Sequence, residues 1–121
     1  MAEKEFVVDR ADRVSGTAVT SQTLPATLND GGKILNRSGS VRITAIGSGS
    51  PSGSITVKQQ KANVDGQKRD CVIPSAKLAA GLKAVVGPFD DRYNDGDGYL
   101  HLEFLTTLAG ITLEVVEDAA P

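Results

Sequence analysis

Four stretches of this chain alternate apolar and polar residues with a period of two: "VRITAIG" from residue 41, "SITVKQQ" from 54, "YLHLEFL" from 99 and "ITLEVVE" from 111. Side chains on a β-strand point alternately to the two faces of a sheet, so this period writes half-buried strands and excludes an amphipathic helix. The pattern predicts Val41, Ile43 and Ala45 on one inward face, and Ile55, Val57 and Gln59 on a second. Leu100, Leu102 and Phe104 form a third, with His101 and Glu103 outward, and Ile111, Leu113 and Val115 form a fourth.

Turn chemistry separates the strands. "DGG" at 30–32 precedes a short strand "KIL", "SGSPSG" at 48–53 is predicted to be a flexible hairpin loop, and "VDGQ" at 64–67 centres on an Asp-Gly hairpin pair. "KRDCVIP" is the returning strand. "SAKLAAGL" at 75–82 has helix propensity, but eight residues interrupted by Gly81 predict a single turn or a bend at a corner. "KAVVGPF" is a strand ended by Gly87 and Pro88. The chain is expected to be all-β: a single antiparallel β-sandwich or jelly-roll-like barrel of about seven or eight strands. Residues 1–23 are predicted to be an extended N-terminal arm, 24–117 the sandwich domain and 118–121 a flexible tail.

With 121 residues and no Trp, one domain must build its core from Val, Ile and Leu. The single Cys71 can form no internal disulfide and has no second Cys for a metal pair. No apolar run has the length of a signal peptide or a membrane span, so a soluble chain maturing in a reducing cytoplasm is expected. Charge is uneven: residues 33–83 carry nine Lys or Arg against Asp65 and Asp70, and 84–121 carry Arg92 against eight Asp or Glu. No aromatic platform accompanies the basic segment, so mutual neutralisation is expected rather than nucleic-acid binding.

Residues 90–97, "DDRYNDGD", raise the question of a calcium loop. An EF-hand needs oxygen ligands at loop positions 1, 3 and 5, Gly at 6 and Glu at 12. Placing Gly96 at position 6 puts Tyr93 at 3 and Leu102 at 12, whereas placing Glu103 at 12 puts Arg92 at 1 and Asp97 at 6. Neither register works. An irregular site from Asp90, Asp91, Asp95 and Asp97 is the alternative to a purely structural turn, which Asn94, Asp95, Gly96 and Gly98 favour. A Cys71–His101 nucleophilic pair would need both side chains on one face and a third orienting group. No enzyme signal, cofactor or metal site is expected.

Function is then expected to lie in surfaces. Ile46, Leu105 and Val116 break the alternation at outward positions. The arm holds the apolar cluster Phe6, Val7 and Val8 with Arg10 and Arg13, the candidate partner-binding residues, and its removal is expected to leave a folded domain.

The C-terminal half, from "VIPSAKLAAGLKAVVGPF" through "RYNDGDGYLHLEF" to "ITLEVV", resembles a family of small tailed-bacteriophage head proteins, and "NDGGKILNRSGS" is similar to that family's opening strands. The resemblance spans roughly residues 28–117. It implies a capsid decoration, or cement, protein on the virion exterior, made in the bacterial host cytoplasm. Such a protein binds the major capsid protein and itself, as a homotrimer, with no nucleic acid or membrane partner. A head–tail neck or tail component and a carbohydrate- or cell-surface-binding β-sandwich module are the alternatives.

Overall fold

A computed structural model describes residues 3–11, 16–25, 27–105, 108 and 110–118. Its strands are β1 (Lys4–Glu5), β2 (Asp9–Arg10), β3 (Gln22–Thr23), β4 (Gly32–Leu35), β5 (Arg42–Ile46), β6 (Ser54–Val57), β7 (Cys71–Ile73), β8 (Lys83–Val86), β9 (Tyr99–Leu105) and β10 (Thr112–Glu117). They form two sheets. One runs β1-β4-β9-β6-β7; the other runs β2-β10-β5-β8, with β3 also paired to β10. Among the described residues no barrel closes, because the sheets end separately at β7 and β8.

The inward faces are those the alternation specified. Val41, Ile43, Ala45, Ile111, Leu113 and Val115 from the second sheet are buried against Ile55, Val57, Leu100, Leu102 and Phe104 from the first, in one apolar cluster. Removal of this surface from water is the main term holding the sheets together, worth about 1.5–3 kcal/mol for each fully buried aliphatic or Phe side chain. "SAKLAAGL" contributes one 3-10 turn, Ser75–Lys77, followed by the buried Leu78, as its short length required.

Three expectations are corrected. The sheets are mixed rather than antiparallel, because β1 pairs parallel with β4 and β2 parallel with β10. "SGSPSG" is not a hairpin loop: it carries the chain from β5 in one sheet to β6 in the other. The hairpin is β6–β7, around the Asp-Gly turn. Finally, the N-terminal segment is not free-standing, since β1, β2 and β3 pair with strands of both sheets. It crosses the edge of the sandwich as a strap, and ten strands rather than seven or eight are counted among the described residues.

Candidate functional site

The strap is held by one aromatic side chain and one amide. Phe6 is 2% exposed, and its ring meets Phe104 edge-on at 6.1 Å between centroids. It can seat there because β4 begins with a glycine: a Cβ at Gly32 would come within 2.5 Å of the Phe6 ring. Backbone bonds from Lys4 N–H to the Gly31 carbonyl and from Phe6 N–H to the Lys33 carbonyl fix the entry. Gln22 then grips the crossing. Its Oε1 accepts from Val7 N–H at 2.6 Å, and its Nε2 donates to the Val7 carbonyl at 2.8 Å. The N–H and C=O of Val7, which lies outside the strands, are both thereby satisfied.

This anchoring turns Val7 outward, 57% exposed, while Val8 is half-buried against the core. Arg10 Nε donates to Glu117 Oε1 at 2.9 Å, and Ala11 N–H donates to the Glu117 carbonyl. Between the strap and the end of β4 lies an open groove of about 740 Å³, whose walls include Val7, Val8, Leu35, Arg10, Arg37 and Glu117. Its lining is apolar at Val7, Val8 and Leu35 and carries both signs of charge at Arg10, Arg37 and Glu117. Of the candidate binding residues, Phe6 belongs to the core, its ring packed on Gly32 and Phe104 rather than standing free on an arm. Phe6, Val7, Val8 and Arg10 all line the groove, Phe6 from its buried floor. Arg13 lies outside the described residues.

The acidic loop is knit into the fold by its own carboxylates. Asp90 accepts from Arg92 N–H at 2.9 Å and pairs with the Arg92 guanidinium, which holds its carboxyl below the usual range. Asp91 meets Lys61. Asp95 Oδ1 accepts from the N–H groups of Asp97 and Tyr99, at 2.8 and 3.0 Å, and Oδ2 faces His101 Nε2 at 2.5 Å. The His101 bond first, with those amides, pulls Asp95 down to about 2. Among the described residues, no group of three or more His, Cys, Asp or Glu side chains could hold a metal ion.

His101 bridges two chain-distant carboxylates, because its Nδ1 lies 2.7 Å from Glu3 Oε2 of the strap. Burial alone would lower its pKa, but the hydrogen bonds to Glu3 and Asp95 outweigh burial and raise it. Cys71 pairs with Val57, and Val57 with Leu102, which puts Cys71 on the Leu102 face of the sheet. His101 projects from the opposite face, so the two cannot act as a nucleophile and its base. Burial raises the Cys71 thiol, a further departure from a reactive thiolate.

The alternation gave no hint of Gln22, Gly32 or Glu3. Gln22 and Glu3 lie in a polar stretch without period, and Gly32 reads as the second half of a turn. Comparison with known families, characterised proteins and solved structures finds no match for this chain.

Proposed function

We propose that this chain is a bacteriophage capsid decoration protein, a non-enzymatic cement that binds the outer surface of the mature head and bridges capsid subunits. The reading starts from the resemblance of residues 28–117 to small phage head proteins. The observation that carries it further is the strap: Phe6 pins it, and Val7, Val8 and Arg10 are displayed along a groove. A rigid sandwich that presents a fixed apolar edge can join neighbouring shell subunits at small entropic cost, because little is ordered on binding. The sandwich is read as jelly-roll-like, its partners as the major capsid protein and further copies of itself, and its location as the virion exterior. Shell expansion would then have to break many such contacts at once.

Purified heads lacking the protein supply the test. The wild-type chain should saturate them, in a number that scales with shell subunits rather than with a single neck ring. Val7→Asp should abolish saturation while leaving the melting temperature within about 2 °C, as expected for an exposed position. Unchanged binding by Val7→Asp would remove the strap from the interface, and a ring-sized copy number would favour a neck component.

A further inference from the structure

Four Asp-Gly pairs occur in this chain, at 30–31, 65–66, 95–96 and 97–98. Such a pair can rearrange without an enzyme, because glycine puts no side chain in the way of ring closure. The glycine nitrogen attacks the aspartate Cγ, a C–N bond forms, and the amide proton leaves with the carboxyl hydroxyl as water. Water then opens the resulting succinimide. Opening at the α-carbonyl leaves the chain running through the β-carboxyl, as an isoaspartate of unchanged mass, with nothing oxidised or reduced. The reacting carboxyl must be protonated and free to swing onto the nitrogen, so the fold decides which pair reacts.

Three of the pairs are held. Asp95 Oδ1 accepts from the N–H groups of Asp97 and Tyr99, and Oδ2 faces His101. Asp65 Oδ1 accepts from Gln67 N–H at 3.0 Å, and Oδ2 takes the Arg69 guanidinium at 2.6 Å. Gly66 N–H is itself bonded to the Asn63 carbonyl at 2.9 Å. The same partners, His101 first for Asp95 and Arg69 first for Asp65, keep both carboxyls below the usual range, so the neutral acid is scarce. Asp30 ends a 3-10 turn, and Gly31 N–H donates to the Leu28 carbonyl at 3.1 Å. A Cβ at Gly31 would meet the Leu102 carbonyl oxygen at 2.8 Å, so the backbone there is pressed against β9 and leaves little room for an imide ring.

Asp97 differs on each count. Among the described residues its carboxylate accepts no hydrogen bond and joins no ion pair; only its N–H is engaged, and the residue is exposed. Gly98 N–H donates to the Asp95 carbonyl at 3.2 Å, longer than the bonds made by Gly31 and Gly66. A Cβ at Gly98 would have only Arg37 Cγ, the stem of a flexible side chain, within 4 Å, at 3.7 Å. The turn therefore has room for the ring. We infer that Asp97–Gly98 is a site of spontaneous isoaspartate formation in the folded protein. The product lengthens the backbone by one methylene between Asp95 and Tyr99, which are now joined by a hydrogen bond from Asp95 N–H to the Tyr99 carbonyl. Nothing in this inference depends on capsid decoration.

The full chain, aged for weeks at physiological temperature and neutral pH, supplies the test. Its peptides are methylated with an isoaspartyl carboxyl methyltransferase and S-adenosylmethionine, and electron-transfer fragmentation then places the isoaspartate. In the folded chain, isoaspartate at 97 should exceed that at 30, 65 or 95 several-fold. In a parallel sample unfolded in urea, the pairs should react at similar rates, because the hydrogen bonds that protect three of them are gone. D97E should lose the labelled product and keep the wild-type melting temperature, since glutamate closes its larger ring far more slowly. Absence of isoaspartate from the aged folded chain, or its accumulation mainly at 30, 65 or 95, would overturn the inference. The same dominance of 97 in urea would overturn it too, by placing the selectivity in the local sequence rather than in the fold.

Discussion

Asn36 and Asn94, from just after β4 and from the middle of the acidic loop, exchange hydrogen bonds inside the molecule. Asn36 Nδ2 donates to Asn94 Oδ1 at 2.9 Å, and Asn94 Nδ2 donates to the Asn36 carbonyl at 3.2 Å. Asn36 also donates to the Phe89 carbonyl and accepts from Val41 N–H, and both side chains are buried. The loop is thereby fastened to the opening strand far from it in sequence. Asn94→Ala should cost about 2–3 kcal/mol in urea unfolding, because it strands buried polar groups of Asn36. Asn94→Asp should be no milder at neutral pH, since it swaps a donor for a charge facing a carbonyl.

The loop carboxylates are occupied by protein groups, and this predicts what calcium does. Asp95→Ala should lower the melting temperature by several degrees with no cation present, since it releases two backbone amides and His101 together. Added calcium should leave the wild-type melting temperature unchanged and give a flat calorimetric trace. Heat of binding with a raised melting temperature would mean that the carboxylates reorganise around an ion.

His101 should make the strap sensitive to pH. Protonated, it can donate from both ring nitrogens, to Glu3 and to Asp95; neutral, it can donate to only one. The folded pKa is raised above the ordinary 6.5, so this stabilisation is complete below 6.5 and fades as pH rises through the raised value. Asp95 acts with the opposite sign: depressed from 3.8 to about 2, it stabilises above 3.8 and fails as acid approaches its folded value. Lys33 across the strand pair, and Lys58 and Glu103 beside it, share the neighbourhood, but Lys33 lies over Tyr99 and Lys58 pairs with Asp70 and Glu103. Stability should therefore peak between about pH 4 and 6.5. Amide exchange at residues 4–6 should quicken several-fold above that range, corrected for intrinsic rates, and His101→Gln should flatten the profile.

The inward faces were legible because burial on a strand must repeat every second residue, and Ile43, Val57, Leu102 and Leu113 keep that period. Sheet order was not. The β4–β5, β5–β6, β7–β8, β8–β9 and β9–β10 connections all pass between sheets, and a turn sequence such as "SGSPSG" records that the chain bends, not which sheet receives it. The strap was half legible. "EFVV" announced apolar residues needing cover, but Phe6 is covered within the chain, through a gap that only Gly32 leaves open.

A second glycine marks where a loop meets a turn. A Cβ at Gly47 would fall 2.0 Å from the Ala79 carbonyl oxygen and 2.7 Å from that of Leu78, both backbone. Gly47 N–H donates to the Leu82 carbonyl and Ser48 N–H to that of Leu78, so the 78–82 bend cannot retreat without losing them. Gly47→Ala should destabilise by about 2–4 kcal/mol, whereas Gly49→Ala, in open space though at positive φ, should cost about 1 kcal/mol. Equal costs would mean that the close packing at Gly47 relaxes freely.

The seating of Phe6 on Gly32 predicts a coupling as well as two losses. Phe6→Ala should cost about 3–5 kcal/mol, the usual range for emptying a buried aromatic site. Deleting residues 1–13 should therefore unfold or severely weaken the domain rather than trim an appendage. Gly32→Ala should also destabilise, because its methyl would lie 2.5 Å from the Phe6 ring and 3.3 Å from Phe104. In the double variant, that methyl enters space the ring has left. The combined loss should fall short of the sum by 1 kcal/mol or more, an interaction of the size contacting residues show, on the order of 0.5–3 kcal/mol. Urea unfolding of the four proteins measures it. Strict additivity would mean that the ring does not rest on the glycine, and the strap would then be held by its backbone pairing with β4 and β10 and by Gln22.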